Sequence, residues 1–253
     1  MILEASNFVF TPPREIAFAN RILIKPSARR SLPYPFTTSR EMIGTVIAGI
    51  RRVSGADIIL LERSSGPDTM QSIYRDLRYD FPHTMLLDVD QCVPVAVENP
   101  LPKPFAISTF WIPNVILSCD YLISITPFKV VAGNGDFSIK NLLGLLPTAK
   151  YRHEMKALNG LARSPDAESI AADLYFTLPF DMGIVDGSKK LTSSTDPFQG
   201  EIEEYGKIFV GLPYDCDCAA SDAAGVEPRY LELIEEARVE TGRLNDVDEE
   251  QRE

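Results

Sequence analysis

The chain has 253 residues, 45% of them hydrophobic and 24% charged, the balance of a globular protein that can bury a sizeable core. Its 36 acidic residues outnumber 25 basic ones, and the formal net charge of -11 opposes non-specific binding to nucleic acid or to an anionic membrane. The start MILEASN lacks the basic and apolar segments of a secretory signal, and the apolar stretches are interrupted and too short to cross a bilayer, so a cytoplasmic, soluble protein is expected.

In chain order, RILIKPS (21–27) reads as a β-branched strand stopped by Pro26, with Lys25 at its C-terminal edge. The helix that follows carries Met42, Val46, Ile47 and Ile50 at helical spacing, with Thr38 or Ser39 as its cap and Gly55 as its end. ADIILLE is an unbroken apolar run, as a strand buried on both faces requires, so strand, helix and strand form one crossover unit of a parallel sheet. DTMQSIYRDLRYD predicts a helix capped by Asp68, and TMLLDVD another strand. From VPVAVEN through FAISTFWIP to VILSCDYLISITP further strand patterns follow, some of them suited to antiparallel pairing.

DFSIKNLLGLLP predicts a short helix capped by Asp136 or Ser138, with Ile139, Leu142, Leu143 and Leu146 on its core stripe. Lys140, Asn141 and Gly144 fall off that stripe. A glycine inside a helix costs about 1 kcal/mol relative to alanine, so the close approach of a ligand or of another chain segment should compensate at Gly144. Lys150 and His153, three apart, would share a helical face and form a basic patch in an acidic protein. PDAESIAADLYFTLP then reads as a helix, MGIVDG as a short strand ending at Asp186, KIFVGLP as a strand, and EPRYLELIEEARVETG as a helix with Pro228 in its first turn and Gly242 past its end.

The expected fold class is α/β: a single domain over 1–242, with a mixed, mostly parallel β-sheet flanked by helices in an α/β/α arrangement. The acidic end, 243–253, is too polar to fold by itself and is expected to be disordered. Cys92 and Cys119 sit in apolar runs as reduced thiols. Cys216 and Cys218, two apart in YDCDCAAS, would face one side of an extended segment; structural thiols or a metal contact are the alternatives, and no cysteine run of the iron–sulfur type occurs.

These landmarks, in this order, resemble the domain of unknown function 362 family of bacterial and archaeal proteins, some of which carry ferredoxin-type modules. The likeness rests on RILIKPS, on the PFTT loop with Thr38, on CDYLISITPFKV with Lys129, on SIKNLLGLLPTAKYRHE, and on IVDGSKKLTSSTDPFQG with Asp186, Gly187, Pro197 and Gly200. It departs from the family pattern at Val131, where a histidine is usual, and at Leu212, where an acid is usual, while Pro213 and Asp217 are kept. No ferredoxin module is attached, so no iron–sulfur cluster is expected.

The resulting expectation is an enzyme that gathers Lys25, Thr38, Lys129, Asn141, Gly144, Lys150 and Asp186 around a small carboxylate or phosphate ligand. Lys140 and His153 are the candidate catalytic groups, with His153 titrating near neutrality. The competing expectation is a non-catalytic binding protein in which Asp217, Cys216 and Cys218 hold a divalent metal. Gly-x-Ser-x-Gly, His-Glu-x-x-His and phosphate-loop motifs are all missing, and the first strand leads to KPSARR where a nicotinamide-binding unit needs a glycine-rich turn.

Overall fold

Strand β2 (Arg21–Pro26) places its residues alternately on two buried faces: Ile22 and Ile24 enter one apolar core and Leu23 the other. In this computed structural model, which describes residues 1–151 and 165–250, that alternation builds a layered α/β architecture. Helix α1 (Arg40–Arg51) begins where the Ser39 hydroxyl accepts the Met42 N–H at 3.0 Å, and Met42, Ile43, Val46, Ile47 and Ile50 face the first core. Strand β3 (Asp57–Glu62), helix α2 (Met70–Asp76) and strand β4 (Thr84–Asp88) extend the parallel sheet outward. The cap of α2 is Thr69, whose hydroxyl accepts the Ser72 N–H, and not Asp68.

Strands β5 (Pro94–Glu98) and β6 (Thr109–Pro113) form an antiparallel ribbon apart from the main sheet. Strand β7 (Tyr121–Val131), buried along its whole length, returns to the other side of β2. The two-residue β8 (Asn134–Gly135) folds back on β7, and helix α3 (Pro165–Thr177) packs on the second face. Strands β9 (Met182–Ser193) and β10 (Glu201–Gly211) are a long antiparallel hairpin, and β1 (Ile2–Glu4) pairs with β10 at the edge. The sheet order is β1-β10-β9-β7-β2-β3-β4, parallel from β9 to β4 and antiparallel at the β10 and β1 end, so the mixed, mostly parallel α/β fold is observed.

Several local expectations are corrected. Residues Pro213–Ala224 form helix α4, opened by Pro213 and ended by Gly225 in the left-handed conformation at φ 68°, where the sequence reading saw an extended segment. Strand β9 runs on past Asp186 to Ser193. Helix α5 (Arg229–Glu250) passes through Gly242, where its end was expected. Lys140–Leu145 is a 3-10 helix, not an α-helix, and no side chain of its own caps it. Its approach is held by a carboxylate from α4: Asp217 accepts the N–H groups of Ser138 and Ile139, both at 2.9 Å, and the Ser138 hydroxyl at 2.5 Å.

No described helix is long and apolar enough to cross a membrane.

Candidate functional site

The chain runs from β2 to β3 and β4 on one side of the sheet, then comes back to set β7 on β2's other side. Beyond the carboxyl ends of strands at such a reversal lies the usual ligand crevice of open α/β sheets. A pocket of about 70 Å³ occupies this place. Its cations come from four segments: Arg29 from the loop after β2, Arg63 from the residue after β3, Lys129 from the part of β7 that overhangs β2, and Lys140 from the 3-10 helix. Among the described residues, Asp136 is the one carboxylate of the lining, and Phe36, Leu143, Pro197 and Phe198 supply its apolar part.

Beneath the floor lies a buried ion pair. The Lys25 ammonium donates to Glu62 Oε2 at 2.7 Å, and neither side chain is exposed to solvent. Lys25 also donates to its neighbour Pro26 O at 2.8 Å and to Asn141 Oδ1 at 3.2 Å. Burial, partly opposed by the attraction of Glu62, lowers the Lys25 pKa to about 8. Gly144 covers this pair: a Cβ there would stand 2.8 Å from both Glu62 Oε1 and Lys25 Nζ. The compensation that the sequence demanded at Gly144 is therefore the close approach of a buried ion pair.

Glu62 does more than neutralise Lys25. Its Oε2 accepts the N–H of Ala28 at 2.9 Å and its Oε1 accepts the N–H of Arg63 at 2.9 Å, so a single carboxylate anchors both backbone segments that present arginines to the pocket. Burial lowers the pKa of Arg29, and it lowers that of Arg63 to about 10, where the nearby Arg29 charge adds to the effect. For Asp136, burial acts to raise the pKa, but Lys129, at 3.3 Å, and Lys140 outweigh it and hold the carboxyl below its ordinary value. Lys129 donates to Ser27 Oγ at 3.2 Å as well, and Lys140 is hydrogen-bonded to Glu168 on α3.

Of the residues singled out in the sequence, the structure brings Lys129, Lys140, Asn141 and Gly144 together in the pocket lining. Lys25 lies directly behind them. Asn141 does not offer its amide to a ligand, since both amide hydrogens are used, one on Lys25 O and one on Ser124 Oγ, each at 3.1 Å. Thr38 is a fastener: its hydroxyl accepts the Ser27 N–H at 2.8 Å and donates to Ile125 O at 2.9 Å, locking the loop after β2 onto β7. Asp186 sits in a separate buried cluster, accepting Tyr34 OH, Ser39 Oγ and the Ser188 N–H and hydroxyl, and among the described residues it orients no lysine. Lys150 is exposed, its ammonium 3.7 Å from the centre of the Trp111 ring and outside the pocket. His153 lies outside the described residues.

The Asp217, Cys216 and Cys218 set does not assemble. All three are on α4, where residues two apart point about 200° away from each other. Cys216 is buried against Phe209, Cys218 packs toward α5, and the Asp217 carboxylate accepts from Ser138, Ile139 and Tyr230. Among the described residues, no group of three or more His, Cys, Asp or Glu side chains is placed to hold a metal ion.

Sequence reasoning missed Arg29, Arg63, Glu62 and Glu168. A signal existed for the first three: each lies at or just after the end of a strand recognised as parallel, where ligand crevices form.

An α/β fold with a cation-lined pocket at the reversal point of its sheet defines the class. Within it, the chain belongs to the family described as a domain of unknown function (DUF362), whose model matches residues 22–227. No protein of curated function matches the chain. Among solved structures, the lactate racemase apoprotein from Thermoanaerobacterium thermosaccharolyticum is similar, with a TM-score of 0.53 and 14% sequence identity over 87% of this chain and 53% of the racemase. The chain thus spans about half the length of that protein, and the likeness is one of fold.

Proposed function

We propose that this protein is an enzyme that binds a small anionic ligand, a carboxylate or a phosphate, in the pocket at the carboxyl ends of β2, β3 and β7. One observation carries the reading: in a protein of net charge -11, the described residues that line one small pocket include four cations from four separate segments and one carboxylate. Random surface salt bridges would be spread over the molecule. Here Glu62 positions two of the cations from within the core, which is the arrangement of a preorganised site.

Lys140 has the acid–base role in this reading, because it lines the pocket and is hydrogen-bonded to Glu168, a partner that can pass or accept its proton. Lys25, with a pKa lowered to about 8, lies behind the floor and acts through Asn141 and Glu62. The racemase named above adds a fold and no substrate to this argument. The test is a thermal-shift screen with small carboxylates and phosphates on the native protein and on Arg29→Gln, since a ligand that binds only the folded form raises its apparent stability. Stabilisation by an anion that disappears in the variant supports the reading. An equal shift in both proteins moves the ligand elsewhere.

A further inference from the structure

We infer that the ligand of this pocket carries a flat, apolar ring next to its anionic group, and that Phe198 at the tip of the β9–β10 hairpin selects for that ring; the inference rests on the anion-binding reading above. Depth within the pocket is the first reason. Lys129 and Lys140 are buried, at 4% and 5% exposure, whereas the apolar lining residues Phe36, Leu143, Pro197 and Phe198 are all half-buried. Of the described charged lining residues, Arg29 and Asp136 share that intermediate exposure. The enclosed space is about 70 Å³, on the order of two water molecules at about 30 Å³ each. A carboxylate or phosphate head fills it, so whatever is attached to the head has to leave past the half-buried apolar side chains.

The packing of the two phenylalanines is the second reason. The described residues form four apolar cores, and neither Phe36 nor Phe198 belongs to any of them. Each keeps apolar surface that the uncharged part of a ligand can cover. The third reason is that Phe198 is held in place. The Arg30 guanidinium, which does not line the pocket, lies over one face of the Phe198 ring, 4.1 Å from its centre. The Phe198 N–H donates to Asp196 Oδ1 at 3.0 Å, and Ser193 Oγ accepts the N–H groups of Thr195 at 3.3 Å and Asp196 at 3.1 Å. Past the tip, Gly200 lies so close to β9 that a Cβ there would collide with Thr192 O. The ring is thus fixed before a ligand arrives, and contact with it costs little ordering. A flat ring meets it in offset-stacked or edge-on geometry, which a saturated substituent lacks.

Isothermal titration of the full chain, at one fixed ionic strength and neutral pH, compares acetate with benzoate and inorganic phosphate with phenyl phosphate. The native protein, Phe198→Ala and Arg29→Gln are titrated, and thermal melts establish that each variant is folded. Each ring-bearing anion should bind about tenfold more tightly than its parent, and Phe198→Ala should cut that ratio to about threefold or less. Should Phe198→Ala fail to fold, Phe198→Leu, which keeps apolar bulk and loses the ring, carries the test with a fall in the same ratio. Cyclohexanecarboxylate binding as tightly as benzoate would show that the pocket selects bulk, and the flat-ring assignment would be wrong. A ratio that Phe198→Ala leaves unchanged puts the ring elsewhere and overturns the role of Phe198. If acetate and phosphate bind, weaken in Arg29→Gln and gain nothing from a ring, the anion site stands and this inference fails; if none of these anions binds, the anion-binding reading falls with it.

Discussion

Lys25 and Glu62, 37 positions apart in sequence, meet as a 2.7 Å ion pair with no solvent exposure on either side, directly under the floor of the pocket. A buried pair is costly to form and costlier to break, because removing one partner strands the other charge in the core. Around this pair the arginine-bearing segments, Asn141 and Gly144 are all arranged.

Glu62→Gln should therefore destabilise the protein by about 3–5 kcal/mol in urea unfolding, the range for breaking a buried pair. The pH dependence gives a second check. Burial lowers the folded-state pKa of Lys25 from 10.5 to about 8, so the unfolded chain binds more protons between those values and this residue makes the native state gain stability as pH rises through that interval. In Glu62→Gln the attraction that supports the charged lysine is lost, and the same gain should begin at lower pH.

Gly144→Ala should reverse the usual sign. Exchanging glycine for alanine commonly stabilises by about 0.4–1 kcal/mol through the unfolded chain. At this position the new methyl would meet Glu62 Oε1 and Lys25 Nζ at 2.8 Å, and the strain of overpacking is about 1–3 kcal/mol. A lower denaturation midpoint together with weaker anion binding is expected; a midpoint equal to or above the native one would show that the floor is not closely packed on the ion pair.

Asp217→Asn should flatten one component of the pH profile. Burial pushes the Asp217 carboxyl up from 3.8 to about 6 despite the hydrogen bonds it accepts from Ser138, Ile139 and Tyr230. With the folded-state pKa above the unfolded one, the native state binds more protons between about 4 and 6, so this group's contribution to stability is fullest below that interval and declines as pH rises through it. Urea titrations at pH 4, 5, 6 and 7 should find the variant's deficit relative to the native protein larger at pH 4 than at pH 7.

Lys150→Ala should leave anion affinity within about twofold and cost about 0.5–1 kcal/mol at most, the worth of an exposed cation–π contact. Trp111, over whose ring Lys150 sits, is the one tryptophan of the chain, so intrinsic fluorescence reports on this contact directly. A changed emission spectrum with unchanged anion binding is the expected pair of results.

What was legible in the sequence follows from the range of each interaction. β2, α1 and β3 declare themselves through periodicity and caps, which act over a few residues, and Ser39 caps α1 as one of the two residues expected to do so. Gly144 was legible as a demand for close approach, but its partner was not, because Glu62 reaches it only through the tertiary fold. Arg29 and Arg63 belong to no periodic pattern, and their convergence depends on β2 and β3 being neighbours in parallel. Helix α4 was missed although Pro213 opens it and Gly225 closes it. Its apolar residues make only a weak stripe, and the Cys-x-Cys spacing drew attention to an extended reading. The same error produced the metal set of Asp217, Cys216 and Cys218, which a helix disperses.

The β9–β10 hairpin delivers Pro197 and Phe198 to the pocket from the antiparallel end of the sheet, whereas the cations ride on the parallel strands and the 3-10 helix. Recognition is thereby divided between two independently variable parts. The hairpin tip can be lengthened, shortened or resequenced with the charged base left intact, so a library confined to residues 194–199 is a route to retuning selectivity for the uncharged portion of a ligand without redesigning the core.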